Sequence, residues 1–251
     1  MKKLENKVAI ITGASKGIGA AIAIYFAAEG AKVVVNYASS KKGAEKVVKT
    51  ITEYGGTAIA VQGDVSEAAD VTRIFEETRH AFGTLDILVN NAGIFEYAPI
   101  EDATVESFHR QFNVNVLGSL LAIQESLKLF GNKGGNIINI SSGASRTPVP
   151  TGSVYSATKA ALDAITVALS KEFSGKNIRI NSLLPGAIET EGTHNNGFIG
   201  SELEAKIVSN TPLGRTGQPD DIAKVALFLA SDESGWVTGE KIFVSGGIFG
   251  L

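Results

Sequence analysis

A regular alternation restricts the fold of this chain more than any other feature. Short, uninterrupted β-branched runs, "KVAIIT", "KVVVNY", "TAIAVQ" and "LDILVN", are separated by amphipathic segments over 18–29, 41–53 and 67–82. After a longer polar-apolar stretch ending at Phe130, the pattern resumes with "NIINIS", "SVYSATKAALDAITVALSKEF", "IRINSLL", a helix over 220–230 and a last strand, "KIFVS". Strands apolar on both faces belong inside a parallel sheet covered on both sides. Parallel neighbours in turn require helical crossovers. The expected fold is α/β: a Rossmann-like, doubly wound parallel sheet of about seven strands with helices on both faces.

No Pro/Ser-rich linker or abrupt change of charge divides the 251 residues, so a single domain over 1–251 is expected. A net charge of -3 with mixed signs offers no electrostatic footprint for nucleic acid or an anionic membrane. The absence of cysteine removes disulfides and thiol nucleophiles. "MKKLENKVAIITG" lacks the apolar core of a signal peptide, and the longest near-apolar stretch, "AAIAIYFAA", is too short to span a bilayer. A cytoplasmic location is expected. His80, His109 and His194 are scattered rather than spaced as ligands, so no metal is expected.

Two segments interrupt the alternation. "GASRTPVPTG" and "PGAIETEGTHNNGFIGSELEAK" each follow a strand and are far longer than a connector needs. Ligands of open α/β sheets bind beyond the carboxyl ends of strands. The second segment is therefore read as a substrate lid at about 186–212, the alternative being a disordered surface loop.

"TGASKGIG" follows the first strand and opens the first helix. Gly13, Gly17 and Gly19 allow a sharp turn and let a helix N-terminus approach a pyrophosphate without an intervening Cβ. Ser15 and Ile18 complete this loop. Lys16 sits where the helix dipole disfavours a cation unless an anion is near. NAD-selective folds place an acid at the end of the second strand, for the ribose 2′-hydroxyl. Here Asn36, Tyr37, Ala38, Ser39 and Ser40 stand there, with no carboxylate before Glu45. Lysine present and acid absent favour NADP(H), although Lys16 and Lys41 also read as ordinary solvated lysines.

Tyr155 and Lys159 lie four apart on one helix face. A lysine about 4 Å from a phenol contributes roughly 4 kcal/mol at an effective dielectric near 20, or about three pKa units. That would bring the tyrosine close to neutral pH and fit it for acid/base work on a carbonyl or alcohol. The same spacing is also common in plain surface contacts.

Seven stretches in order, "TGASKGIG", "GDV", "NNAG", "NVNVLG", "INISS", "YSATK" and "PG", resemble the short-chain dehydrogenase/reductase family along essentially the whole chain. The resemblance implies Tyr155 as acid/base and Lys159 as its pKa-lowering partner on the nicotinamide ribose. It further implies Ser142, thirteen residues before Tyr155, as the group orienting the substrate oxygen, and Asn115 in a water-linked proton relay. It places Asp64 and Val65 by the adenine, Asn91, Ala92 and Gly93 along the cofactor, and Ile188 and Thr190 near the nicotinamide amide, with Pro185 and Gly186 also among the cofactor-binding residues. For Asn91, cofactor contact and the tying of neighbouring strands stand equal; Asn90 is read as a tie.

The expected activity is NADP(H)-dependent interconversion of a ketone or aldehyde and an alcohol. Phe95, Tyr97, Pro148, Val149, Ile188, Phe198 and Ile199 are the expected apolar wall, and Arg146 either meets an anionic group or is simply solvated. A 3-oxoacyl-(acyl-carrier-protein) reductase, with Lys133 and Lys176 facing the carrier, ranks second, because "IFEYAPIEDATVESFHR" lacks the signature such enzymes carry. A sugar or polyol dehydrogenase and a non-catalytic NADP-binding regulator remain. The family implies a homotetramer, with Ile248, Phe249 and Leu251 offered to a neighbour or left as a solvated tail.

Overall fold

A computed structural model describes residues 2–248, so Phe249 and Leu251 lie outside the described residues. The elements run β1 (Val8–Ile11), α1 (Gly17–Ala28), β2 (Lys32–Tyr37), α2 (Lys41–Glu53), β3 (Thr57–Gln62), α3 (Ala68–Phe82) and β4 (Ile87–Asn90). They continue with α4 (Val105–Phe112), α5 (Gly118–Phe130), β5 (Gly135–Ile140), α6 (Ser153–Glu172) and β6 (Ile178–Pro185). The chain closes with α7 (Glu191–Asn195), α8 (Glu202–Ser209), α9 (Pro219–Ala230) and β7 (Lys241–Val244).

The seven strands form one sheet in the order β3-β2-β1-β4-β5-β6-β7, every pair parallel. Side chains alternate across a strand, and the two faces divide accordingly. Ala9, Ile11, Val33 and Val35 pack with Ile22 and Phe26 of α1, Val47 of α2 and Leu229 of α9. Val8, Ile10, Val34 and Leu88 pack on the other face with Ile74 and Phe75 of α3 and Ile123 of α5. Each of the larger of these side chains, fully buried, contributes roughly 1.5–3 kcal/mol. Two covered faces leave the strand ends for chemistry. The strand order reverses at β1, between β2 and β4, and there a crevice opens beyond the carboxyl ends.

The 186–212 segment is helical rather than a structureless loop. Thr190 caps α7 in a reciprocal box with Thr193, and Ser201 caps α8 by accepting from the Glu204 N–H. No helix among the described residues is long and apolar enough to cross a membrane.

Candidate active site

The glycine loop is built by what presses on it. Gly13 has φ +61, and a Cβ there would lie 2.8 Å from the Cα of Ala92; one on Gly19 would lie 2.4 Å from Asn91 Nδ2. Both glycines are thus required by the segment that follows β4. Thr12, which sequence reasoning passed over, is the staple between them. Its hydroxyl accepts from the N–H groups of Asn91 and Ala92, each at 3.0 Å, and donates to the carbonyl of Val89. Asn91 Nδ2 donates to the carbonyls of Thr12 and Gly13, which is the tying geometry of the two alternatives. Asn90 Nδ2 likewise donates across to Asn139 Oδ1.

Two residues expected at the ribose point elsewhere. Asn36 is buried; its Oδ1 accepts from the Gly13 N–H and its Nδ2 donates to the carbonyls of Val61 and Gly63. With those bonds it braces the loop from beneath and does not face a ligand. Tyr37 is buried in the core against the α1 side of the sheet. Ala38 and Ser39 are exposed just past the strand, and Lys16 is exposed at the N-cap of α1. Gly43 lets the first turn of α2 press on the loop, since a Cβ there would come within 2.7 Å of the Ser15 carbonyl oxygen. Ser15 is half-buried, as is Ile18, which leans on the core.

The helix start already attracts an anion from within the chain: the Gly17 N–H donates to Glu191 Oε2 of α7 at 3.1 Å. A carboxylate there stands where a phosphate oxygen would be welcome. Thr190 adjoins the same point, its Cγ2 3.4 Å from where a Gly17 Cβ would stand. Asp64 accepts from Ser66, and Val65 is buried beneath Gly118. Pro185 ends β6 and Gly186 continues it toward Val244. Ile188 is 6% exposed, packs on the core, and also lines a cavity with Ala187, Ile207 and Leu213.

Tyr155, Lys159, Ser142 and Asn115 come together beyond the ends of β4 and β5. Asn115 sits in a π-helical turn, Asn113–Leu117, between α4 and α5. Such turns recur at functional sites because they re-aim one side chain within a helix. Its Oδ1 accepts from the Ile94 N–H and its Nδ2 donates to the Ile94 carbonyl and to Thr158 Oγ1, which joins it to α6. Gly93 lies between: a Cβ there would stand 3.3 Å from Asn115 Oδ1 and 3.5 Å from Lys159 Nζ. Ser142 caps a 3-10 turn, Gly143–Ser145, by accepting from the Ala144 N–H.

The electrostatics differ from the expectation for the Tyr/Lys pair. Lys159 Nζ lies 5.8 Å from the centre of the Tyr155 ring and donates to the Ile140 carbonyl at 2.9 Å. Burial pushes the Tyr155 phenol up to about 12, only partly opposed by the Ser142 hydroxyl, while Tyr97 raises it further. Burial also presses Lys159 down to about 8, with Asp163 acting in the opposite sense. Desolvation of the phenol therefore outweighs the attraction that the four-residue spacing suggested, because burial of Tyr155 penalises its charged form.

Above Tyr155 the cleft is aromatic. Phe95, Tyr97 and Tyr155 meet with ring centres 5.9–6.3 Å apart, two of the three pairs edge-on. Gly152 brings the segment after β5 against Tyr97 and Val149, and Gly192 of α7 faces Phe95. Phe95, Tyr97 and Val149 keep 39–49% of their surface exposed, and Phe198 and Ile199 are half-buried after α7. Pro148 and Arg146 are exposed.

A family model described as enoyl-(acyl carrier protein) reductase matches residues 13–248. An uncharacterised oxidoreductase of Methylorubrum extorquens is 57% identical over 99% of this chain and 100% of its own length. Versicolorin reductase of Emericella nidulans is 39% identical over 98% of this chain and 97% of its own. Among solved structures, an angucycline C-6 ketoreductase with bound NADP superposes with a TM-score of 0.93 at 35% identity, over 99% of this chain and 98% of that one. With that coverage, and with the parallel sheet and its glycine loop, the chain belongs to the short-chain dehydrogenase/reductase family of oxidoreductases.

Proposed function

We propose that this chain is an NADP(H)-dependent reductase of ketones and aldehydes, with Tyr155 as the proton-transferring group. The observation that carries the reading is the convergence of Tyr155, Ser142, Lys159 and Asn115 from α6, the 3-10 turn and the π-helical turn. The residues suited to hold the dinucleotide are the loop from Gly13 to Gly19, whose Gly17 N–H already holds a carboxylate, together with Thr190. The 2′-phosphate is assigned to Lys16 and Ser39: the end of β2 offers no carboxylate to repel it, and α2 has no acid in its first turn. The NADP bound to the angucycline ketoreductase supports the same choice.

When bound, the cofactor supplies the hydride. Ser142 orients the carbonyl oxygen, and Tyr155 donates its phenolic proton to it as the oxygen gains electron density. A phenol raised to about 12 stays protonated at neutral pH, so the donor is loaded before the reaction. Lys159, as an ammonium, steadies the phenolate left behind. The aromatic cleft suits a carbonyl with bulky unsaturated substituents. The enzyme is assigned to a homotetramer, acting on small molecules.

Steady-state rates with NADPH and NADH across a panel of aliphatic and aryl ketones test this. NADPH and aryl ketones are expected to be preferred; a strong preference for NADH overturns the cofactor assignment, and no turnover with either overturns the enzymatic reading.

A further inference from the structure

A carboxylate lies buried beside this site and has no part in the proton transfer described. Asp163 is 4% exposed on α6, four residues beyond Lys159 and eight beyond Tyr155, so the three follow one side of the helix. Its Oδ2 accepts from the Ser145 hydroxyl at 2.6 Å, while its Oδ1 is buried and has no hydrogen-bond partner among the described residues. A buried carboxylate missing half its bonds is costly, and such groups are more often tolerated where they act on a neighbour. Ser145 closes the same 3-10 turn that Ser142 caps.

Lys159 is the obvious neighbour. It is 5% exposed, and its Nζ donates to one carbonyl, that of Ile140. A buried ammonium without an anion nearby gives up its proton. Among the described residues, the elements packed against this part of α6 supply one other carboxylate, Glu106 of α4, and it is exposed. The π-helical turn ("NVNVL"), the 3-10 turn ("GAS") and β5 ("GNIINI") contain no titratable side chain. β6 contributes Arg179, which is bonded to the carbonyls of Leu229, Ser231 and Val237. On α4, Arg110 is paired with Glu96, and the His109 ring lies against Phe108. Tyr97 and Tyr155 are the phenols at the site.

We propose that Asp163 is a positioning residue of the active site: its charge keeps Lys159 protonated, and its bond to Ser145 holds the Ser142 turn against α6. The inference rests on the roles given above to Tyr155, Ser142 and Lys159. It assigns Asp163 no contact with substrate or cofactor.

The test compares Asp163→Asn, Asp163→Glu and Ser145→Ala with the unaltered protein. Two readouts are used: the pH profile of kcat against KM, and NMR titration of the Lys159 side chain, identified by loss of its signal in Lys159→Met. In Asp163→Asn the Lys159 midpoint is expected to fall by about one pH unit, so that kcat drops roughly tenfold at slightly alkaline pH and little at mildly acid pH, with KM nearly unchanged. Asp163→Glu retains the charge and is expected to restore the midpoint. Ser145→Ala removes the bond that fixes the Asp163 carboxylate against the 3-10 turn and is expected to move the Lys159 midpoint in the same direction as Asp163→Asn; it remains informative should Asp163→Asn fail to fold. Midpoints unchanged in both Asp163→Asn and Ser145→Ala, or a rate loss equal at every pH, overturn the proposal. The NMR midpoint is read without turnover, so this failure is distinct from failure of the catalytic reading.

Discussion

Lys159 shows at the scale of one residue how function opposes stability. Its folded pKa of about 8 lies below its ordinary value of 10.5, so between those values the unfolded chain binds more protons than the folded one. Its burial therefore costs stability in full below pH 8, and the cost is relieved as the pH rises toward 10.5. Replacing Lys159 by methionine forfeits the bond to the Ile140 carbonyl but removes the buried charge. Denaturant unfolding at neutral pH is expected to show a net gain of roughly 2 kcal/mol that shrinks on the alkaline side, while turnover is lost. Tyr155 and Lys159 were legible in the sequence because a helix places residues four apart on one face. Thr12 and Asn36 were not: the partners of Thr12 lie 79 and 80 positions away and become neighbours only when β4 is laid beside β1. The phenol's raised pKa was illegible for a related reason, since spacing says nothing of how much water the fold removes.

Elements with strong periodicity were read nearly to their ends. α2, β2 and β3 coincide with the runs 41–53, "KVVVNY" and "TAIAVQ". Short elements held by local side-chain bonds carry no such signal, and α7, α8 and the π-helical turn went unread. In α9 the N-terminus is fixed by a carboxylate: Asp221 accepts from the Gln218 N–H at 2.8 Å and from Arg215 at 2.7 Å. Those bonds hold its carboxyl down at about 2, below the ordinary 3.8. This stabilisation is present above pH 3.8 and is lost as the pH falls toward 2. Asp221→Ala is expected to cost about 1 kcal/mol at neutral pH, with the difference from the unaltered protein narrowing in acid; urea titration at several pH values checks this.

For the whole molecule, the doubly wound parallel sheet was legible in the alternation of strand and helix, whereas the strand order, with its reversal at β1 that sets the crevice where the candidate site lies, is fixed only by the structure. The outer surface is less legible, because an exposed aromatic reads in sequence like a buried one. Trp236 is fully exposed and Leu213 is 68% exposed, with the backbone of Leu213 bonded beside the end of the edge strand β7. Light scattering is expected to report four chains; a monomer would count against the proposed tetramer. The central claim is that Tyr155 moves the proton, and Tyr155→Phe tests it most directly, since phenylalanine keeps the ring between Phe95 and Tyr97 and removes only the hydroxyl. Measured with NADPH and the best ketone of the panel, kcat is expected to fall by roughly 10²–10⁴-fold while NADPH binds with nearly unchanged affinity. A variant that keeps a kcat close to that of the unaltered enzyme would contradict the account.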